Sequence, residues 1–129
     1  DSGRMRQVFN NLIVNAVQAL KQTDHARLVI TTLAGSDKNE NIVTIQVEDN
    51  GPGIRTDLLE RLFEPYVTSK EKGSGLGLAI VKKIVDEHGG TIWVKNMKTG
   101  GSCFTIQLPV KMDRDNERPE PLSRRASNE

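Results

Sequence analysis

Asn11, Asn15 and Gln18 stand at i, i+4 and i+7, the spacing that lays three amides along one flank of a helix. Asparagine is a mediocre helix former because its amide competes for backbone hydrogen bonds, so two in one stripe call for a reason. One reason is neutral oxygen ligation of Mg²⁺, which prefers oxygen, keeps several waters and is usually shared with substrate phosphates. A solvated helix flank has the same spacing. A second group lies in "EDNGPGI", where Asp49 ends an alternating apolar segment and Gly51 and Gly53 follow. A carboxylate there can accept a hydrogen bond from an exocyclic amine while the glycines leave room for a flat ring. The same residues also make an ordinary turn.

The third group is "KEKGSGLGLAIVKKIVDEHGG", Lys70 to Gly90, with Gly73, Gly75 and Gly77 at alternate positions before a helical run. Glycine lets backbone amides approach a ligand with no Cβ in the way. A helix start adds unpaired N–H groups and the positive end of its dipole, which together suit an anion, most often phosphate. Lys70 and Lys72 either reach phosphate oxygens or are surface charges, and the glycines read equally as a hinge. The run lacks the Lys-Ser/Thr ending of a P-loop and the G-x-G-x-x-G spacing of a dinucleotide fold. The chain also lacks the H-R-D and D-F-G elements of Ser/Thr kinases. Neither His25 nor His88 has a partner at metal-ligand spacing, so no metal cage and no nucleophilic triad is assigned.

The elements that must carry these groups follow from periodicity. From Arg4 to Lys21, Met5, Val8, Phe9, Leu12, Ile13, Ala16, Val17 and Leu20 recur as one buried face of a helix. "RLVITTLA" and "IVTIQVE" read as a β-hairpin across a polar turn. "TDLLERLF" reads as a short helix with Thr56 as N-cap. The stretch from Glu64 to Gly77 has no periodicity and reads as a long mobile loop, a length that tends to be functional inside a compact domain. Ile80, Val81, Ile84, Val85 and His88 then mark a helix stopped by Gly89 and Gly90. "TIWVKN" and "CFTIQLPV" form another hairpin. Beyond Val110 the chain turns charged and Pro-containing, so residues 1–110 read as one domain and 111–129 as a disordered tail. Its "RRAS" is a basic-directed serine motif of a kind common by chance.

With 129 residues the chain fits one domain. The lone Cys103 cannot form an internal disulfide, which suits a reducing compartment. No apolar stretch reaches the roughly 20 residues that span a bilayer, so the fragment is expected not to be membrane-inserted. Eighteen basic residues against seventeen acidic ones give a net charge of +1, and no bulk field points to nucleic acid. Scarce aromatics remove the usual base-stacking platform.

Taken in order, "QVFNNLIVNAVQAL", "DNGPGI", "LFEPYVTSK", "GSGLGLAIVKKIVDEHGGTI" and "GGSCFTIQLP" resemble the N, G1, F and G2 boxes and closing strand of the sensor histidine kinase catalytic and ATP-binding domain. That domain belongs to the gyrase, Hsp90, histidine kinase and MutL superfamily. The likeness runs from about Arg4 to Pro109, and within it the lid stretch looks most like the nitrogen-regulation type, NtrY or NtrB.

The resemblance implies the Bergerat ATP-binding fold, a two-layer α/β sandwich with a mixed β-sheet, helices on one face and a mobile ATP lid. It implies ATP and Mg²⁺ as ligands and phosphoryl transfer as activity. Asn11 and Asn15 match the N-box asparagines, Asn15 foremost as Mg²⁺ ligand, with Gln18 near phosphates or sugar. Asp49 matches the carboxylate that reads the adenine amino group, with Gly51, Gly53 and Ile54 shaping the base pocket. Phe63 and Tyr66 match the F-box, Lys70 a basic lid position touching the terminal phosphate, and Gly73, Gly75, Leu76, Gly77 and Leu78 the phosphate-binding turn. Thr105 is expected to support Asp49 directly or through water. Asn11 and Lys70 are the expected catalytic positions.

The gyrase, Hsp90 and MutL branches carry a glutamate general base where Asn11 stands, and an amide cannot take that proton. Transfer to a histidine is therefore favoured over an ATP-hydrolysing machine or a silent interaction module. Neither His25 nor His88 matches the family's acceptor motif, so the acceptor is expected on a separate domain of the same protein, which would be a homodimer and pass phosphate to a response regulator receiver domain. The implied location is the cytoplasm, including the cytoplasmic part of a membrane-anchored sensor.

Overall fold

The computed structural model describes residues 2–35, 41–67 and 76–110. The lid expected from Glu64 to Gly77 falls largely, and the tail beyond Val110 wholly, outside the described residues.

Helix α1, Ser2–Ala19, buries Val8, Leu12 and Ala16 at the i, i+4, i+8 spacing that keeps three side chains on one stripe. Val17, expected on that face, is about half exposed, because the stripe against the sheet is narrower than the apolar sequence pattern. Strands β1 (Leu28–Ala34) and β2 (Ile42–Asp49) form the first hairpin, and β3 (Thr91–Asn96) and β4 (Ser102–Pro109) the second. The hairpins join through β2 and β4, giving the order β1-β2-β4-β3.

Among the described residues all the pairs are antiparallel, which corrects the expected mixed sheet. A parallel pair would need a crossover that returns the chain to the same end of the sheet. Here β2 meets the second strand of a hairpin, not the first, and so runs against it.

The register divides the side chains cleanly. Ile45 lies opposite Ile106 and Val47 opposite Phe104, and opposed residues share a face. Asp49 and Ser102 continue that face, whereas Gln46, Glu48, Cys103 and Thr105 belong to the other. Both long helices cover the first face, α1 against β2 and α3 against β3. The core cluster accordingly joins Val8 and Leu12 to Val81, Ile84 and Val85 of α3 and to Val47, Ile92, Phe104 and Ile106 of the strands. Burying each such aliphatic side chain contributes about 1.5–3 kcal/mol. Ile30 shares this face by parity but is 45% exposed, since β1 is the edge strand beyond the helices.

Helix α2 spans only Thr56–Leu59. Arg55, not Thr56, occupies its N-cap position, and no side chain caps it. Thr56 already has helical geometry and cannot serve. The chain continues in tight turns, Arg61 N–H to Leu58 and Glu64 N–H to Arg61, and seats Phe63 edge-on to Phe104 at 6.1 Å. This ring pair fixes the base of the lid segment to the core.

Helix α3 runs Gly77–Glu87 and closes as its sequence suggests. Gly90 N–H bonds the Val85 carbonyl and Gly89 N–H that of Asp86, with Gly89 at φ +74°, a Schellman closure. His88 donates from Nδ1 to the Ile84 carbonyl at 2.8 Å, so this histidine works as a helix cap. Ile80, expected on the apolar stripe, is 37% exposed.

Candidate functional site

Asp49 ends β2 on the helix-covered face and is only 7% exposed. A buried carboxylate needs partners, and two donors meet it: Gly51 N–H reaches Oδ1 at 2.9 Å and Ser102 Oγ–H reaches Oδ2 at 3.0 Å. A carboxylate offers about four acceptor positions. These two bonds orient the group and leave capacity for an external amine.

Thr105, the expected support of Asp49, does not perform that role. It lies opposite Gln46 on the other face of the sheet, and its hydroxyl meets Gln46 Nε2 at 3.4 Å. Ser102 has the correct parity. The two hydroxyls stand three positions apart in sequence, and an odd step along a strand changes the face. Counting alternation back from the buried Phe104 and Ile106 would have found it.

The turn after Asp49 is held on both sides. Asn50 accepts from Arg27 N–H at 2.7 Å and donates to the His25 carbonyl at 3.0 Å, tying it to the lead into β1. Gly51 packs against the end of α1, where an added Cβ would come within 3.0 Å of the Ala19 carbonyl. Gly53 has φ +84°, and Ile54, half-buried against the core, follows it. Asn96, at the end of β3, accepts from Ile54 N–H and donates to Ile54 C=O, both at 2.8 Å. Nothing in the local sequence around Asn96 signals this, because the contact depends on the sheet register.

Asn11 and Asn15 lie half-buried on α1, with Gln18 exposed one turn further on. Asn11 reaches the start of α3, its Nδ2 lying 3.4 Å from the Gly77 carbonyl, a weak bond that places the amide stripe beside the glycine-rich approach. An open groove of about 810 Å³ runs between the last turn of α1 and residues Asn50–Pro52, with Gln18, Lys21 and Gly51 on its wall.

Leu76 sits at the N-cap position of α3 and Gly77 begins the helix, while Leu78 packs on the core. Tyr66 is 76% exposed with φ +68°. Lys70, Gly73 and Gly75 lie outside the described residues.

Asp49, Gly51, Gly53, Ile54, the α1 amides and the start of α3 thus gather around one end of the sheet. The set fits an adenine nucleotide: a buried, oriented carboxylate for an amine, bare backbone for a planar ring, and neutral amides toward the anion-favouring helix start. For a metal, no group of three or more His, Cys, Asp or Glu side chains forms a site among the described residues. The oxygens of Asn11 and Asn15 are the donors suited to Mg²⁺ shared with phosphates.

Residues 1–112 match the family described as histidine kinase-, DNA gyrase B- and HSP90-like ATPase. Sensor histidine kinase ZraS of Escherichia coli strain K12 is 44% identical over 114 residues, which are 88% of this chain and 23% of that protein. The chain spans a quarter or less of the length of the curated relatives it matches. The catalytic domain of histidine kinase ThkA, in a nucleotide-free form, superposes with a TM-score of 0.71 at 37% identity, covering 84% of this chain and 68% of that one. Full-length ShkA in complex with AMPPNP gives 0.68 at 35% identity, covering 84% of this chain and 22% of its own. None of these is named for nitrogen regulation, so the likeness to NtrY or NtrB finds no support among them.

Proposed function

Because the chain belongs to the histidine kinase-, DNA gyrase B- and HSP90-like ATPase family, we propose that it binds Mg²⁺-ATP at the Asp49 end of the sheet and serves transfer of the γ-phosphoryl group to a histidine on a separate domain. The observation that carries the reading is Asp49 itself, buried yet bonded so as to keep acceptor capacity. The nucleotide complex of ShkA supports the same ligand class here.

In this account Asp49 reads the adenine amine, and Gly51, Gly53 and Ile54 frame the ring. Lys70, Gly73, Gly75 and the start of α3 at Leu76, Gly77 and Leu78 favour the phosphates. Mg²⁺ held by Asn15, with Asn11, would offset phosphate charge. The protein's part in such a transfer is positioning and charge compensation. The attacking nitrogen comes from the acceptor histidine, and ADP leaves. No general base need stand at Asn11, and an amide there does not activate water. The phosphoacceptor domain, a dimeric full-length protein, a receiver-domain partner and a cytoplasmic setting belong to the proposal. Among the described residues no helix is long and apolar enough to cross a membrane.

A histidine-bearing helical hairpin domain from a sensor kinase, supplied in trans with Mg²⁺ and labelled ATP, is expected to gain acid-labile phosphate. Steady release of inorganic phosphate from this chain alone, with no transfer, would favour the hydrolytic reading. Asn15→Ala is expected to flatten the Mg²⁺ dependence of ADP binding in calorimetry; an unchanged metal titration would remove Asn15 as a ligand.

A further inference from the structure

Asn96 does for Ile54 what a neighbouring strand would do, engaging both its N–H and its C=O at 2.8 Å from 42 residues away. Gly53 presses against the same amide: a Cβ there would come within 3.0 Å of Asn96 Oδ1. Beyond Asn96 the hairpin doubles back, Met97 N–H bonding the Gly101 carbonyl, and brings Ser102 onto Asp49. One hairpin end therefore grips both ends of the turn, Asp49 through Ser102 and Ile54 through Asn96. An amide suits the second grip, because its separate oxygen and nitrogen accept from Ile54 N–H and donate to Ile54 C=O at the same time.

We propose that Asn96 is a positioning residue for the nucleotide base. It fixes the Gly53–Ile54 backbone relative to Asp49 and so sets the preference for adenine over other bases, without itself touching the nucleotide. This inference rests on the ATP reading above.

The test titrates the wild-type chain, Asn96→Ala and the near-isosteric Asn96→Asp with ADP, GDP and inorganic tripolyphosphate, all with Mg²⁺, and measures urea unfolding alongside. Asn96→Ala should weaken ADP binding about tenfold, the order expected when two hydrogen bonds to a part-buried backbone are lost. It should narrow the ADP to GDP ratio and leave tripolyphosphate unchanged. Asn96→Asp keeps the acceptor for Ile54 N–H but sets a carboxylate oxygen against the Ile54 carbonyl that Nδ2 meets, and should narrow the ADP to GDP ratio as well. Equal weakening of ADP and tripolyphosphate would mean a merely structural role and overturn the inference, as would an unchanged ADP to GDP ratio. If Asn96→Ala does not fold, Asn96→Asp decides by the same ratio. A wild-type chain that fails to distinguish ADP from GDP would sink the ATP reading. A wild type that does distinguish them, with variants that match it, would sink only the role of Asn96.

Discussion

Asp49→Ala is expected to weaken ADP binding by roughly 10- to 150-fold, the loss corresponding to one hydrogen bond to a charged acceptor. The carboxylate is buried and cannot be replaced by water without cost, and no other described acidic side chain is buried. The substitution also strands the Ser102 hydroxyl and Gly51 N–H, which lose their acceptor. Asp49→Asn separates the two effects. It keeps the shape and one acceptor oxygen for the internal donors, yet turns an amide nitrogen toward one of the directions a carboxylate would accept from. Stability should therefore fall less in the asparagine variant than in the alanine variant, while both lose adenine selectivity. Calorimetry with ADP and GDP checks the binding, and urea unfolding checks the fold. An alanine variant that bound ADP as before would remove Asp49 from the base site.

Gly101→Ala is expected to cost more than about 3 kcal/mol of stability, because close approach and backbone strain act together. Its Cβ would lie 1.8 Å from the Asp49 carbonyl oxygen and 2.8 Å from Asn50 Cα, at φ +89°. Both obstacles are backbone, so no side chain can swing aside. Gly100→Ala supplies the comparison: at φ +108° with nothing within 4 Å, it carries strain alone and should cost about 1–2 kcal/mol. Urea midpoints rank the two. Equal destabilisation would mean that the β3–β4 tip does not press on the Asp49 turn as described.

Much of this architecture was legible in local pattern. "TIWVKN" coincides with β3, and "HGG" closes α3 through a histidine cap and a left-handed glycine. Asp49 at a strand end with two glycines after it stands where the alternation of "IVTIQVE" places it. What sequence could not give was pairing between distant strands. The mixed sheet was wrong because the direction of β2 relative to β4 is a topological choice, not a local one. Thr105 fails by parity, which alternation along β4 corrects to Ser102, whereas Asn96 has no such local signal because its partner stands 42 residues away. Val17 and Ile80 show the converse limit: apolar spacing marks a face, but the width actually covered depends on how the helices sit on the sheet.

A purine nucleotide is proposed to bind at the Asp49 end of the sheet, between α1 and the Gly51–Ile54 turn. Amide chemical-shift mapping of the isotope-labelled chain on addition of Mg²⁺-ADP locates the site. The largest shifts are expected at Asn15, Gly51, Gly53, Ile54, Gly77 and Ser102. Shifts gathered instead on the uncovered face, around Glu48, Trp93 and Lys95, with these six unmoved, would place the nucleotide elsewhere and overturn the Asp49 site.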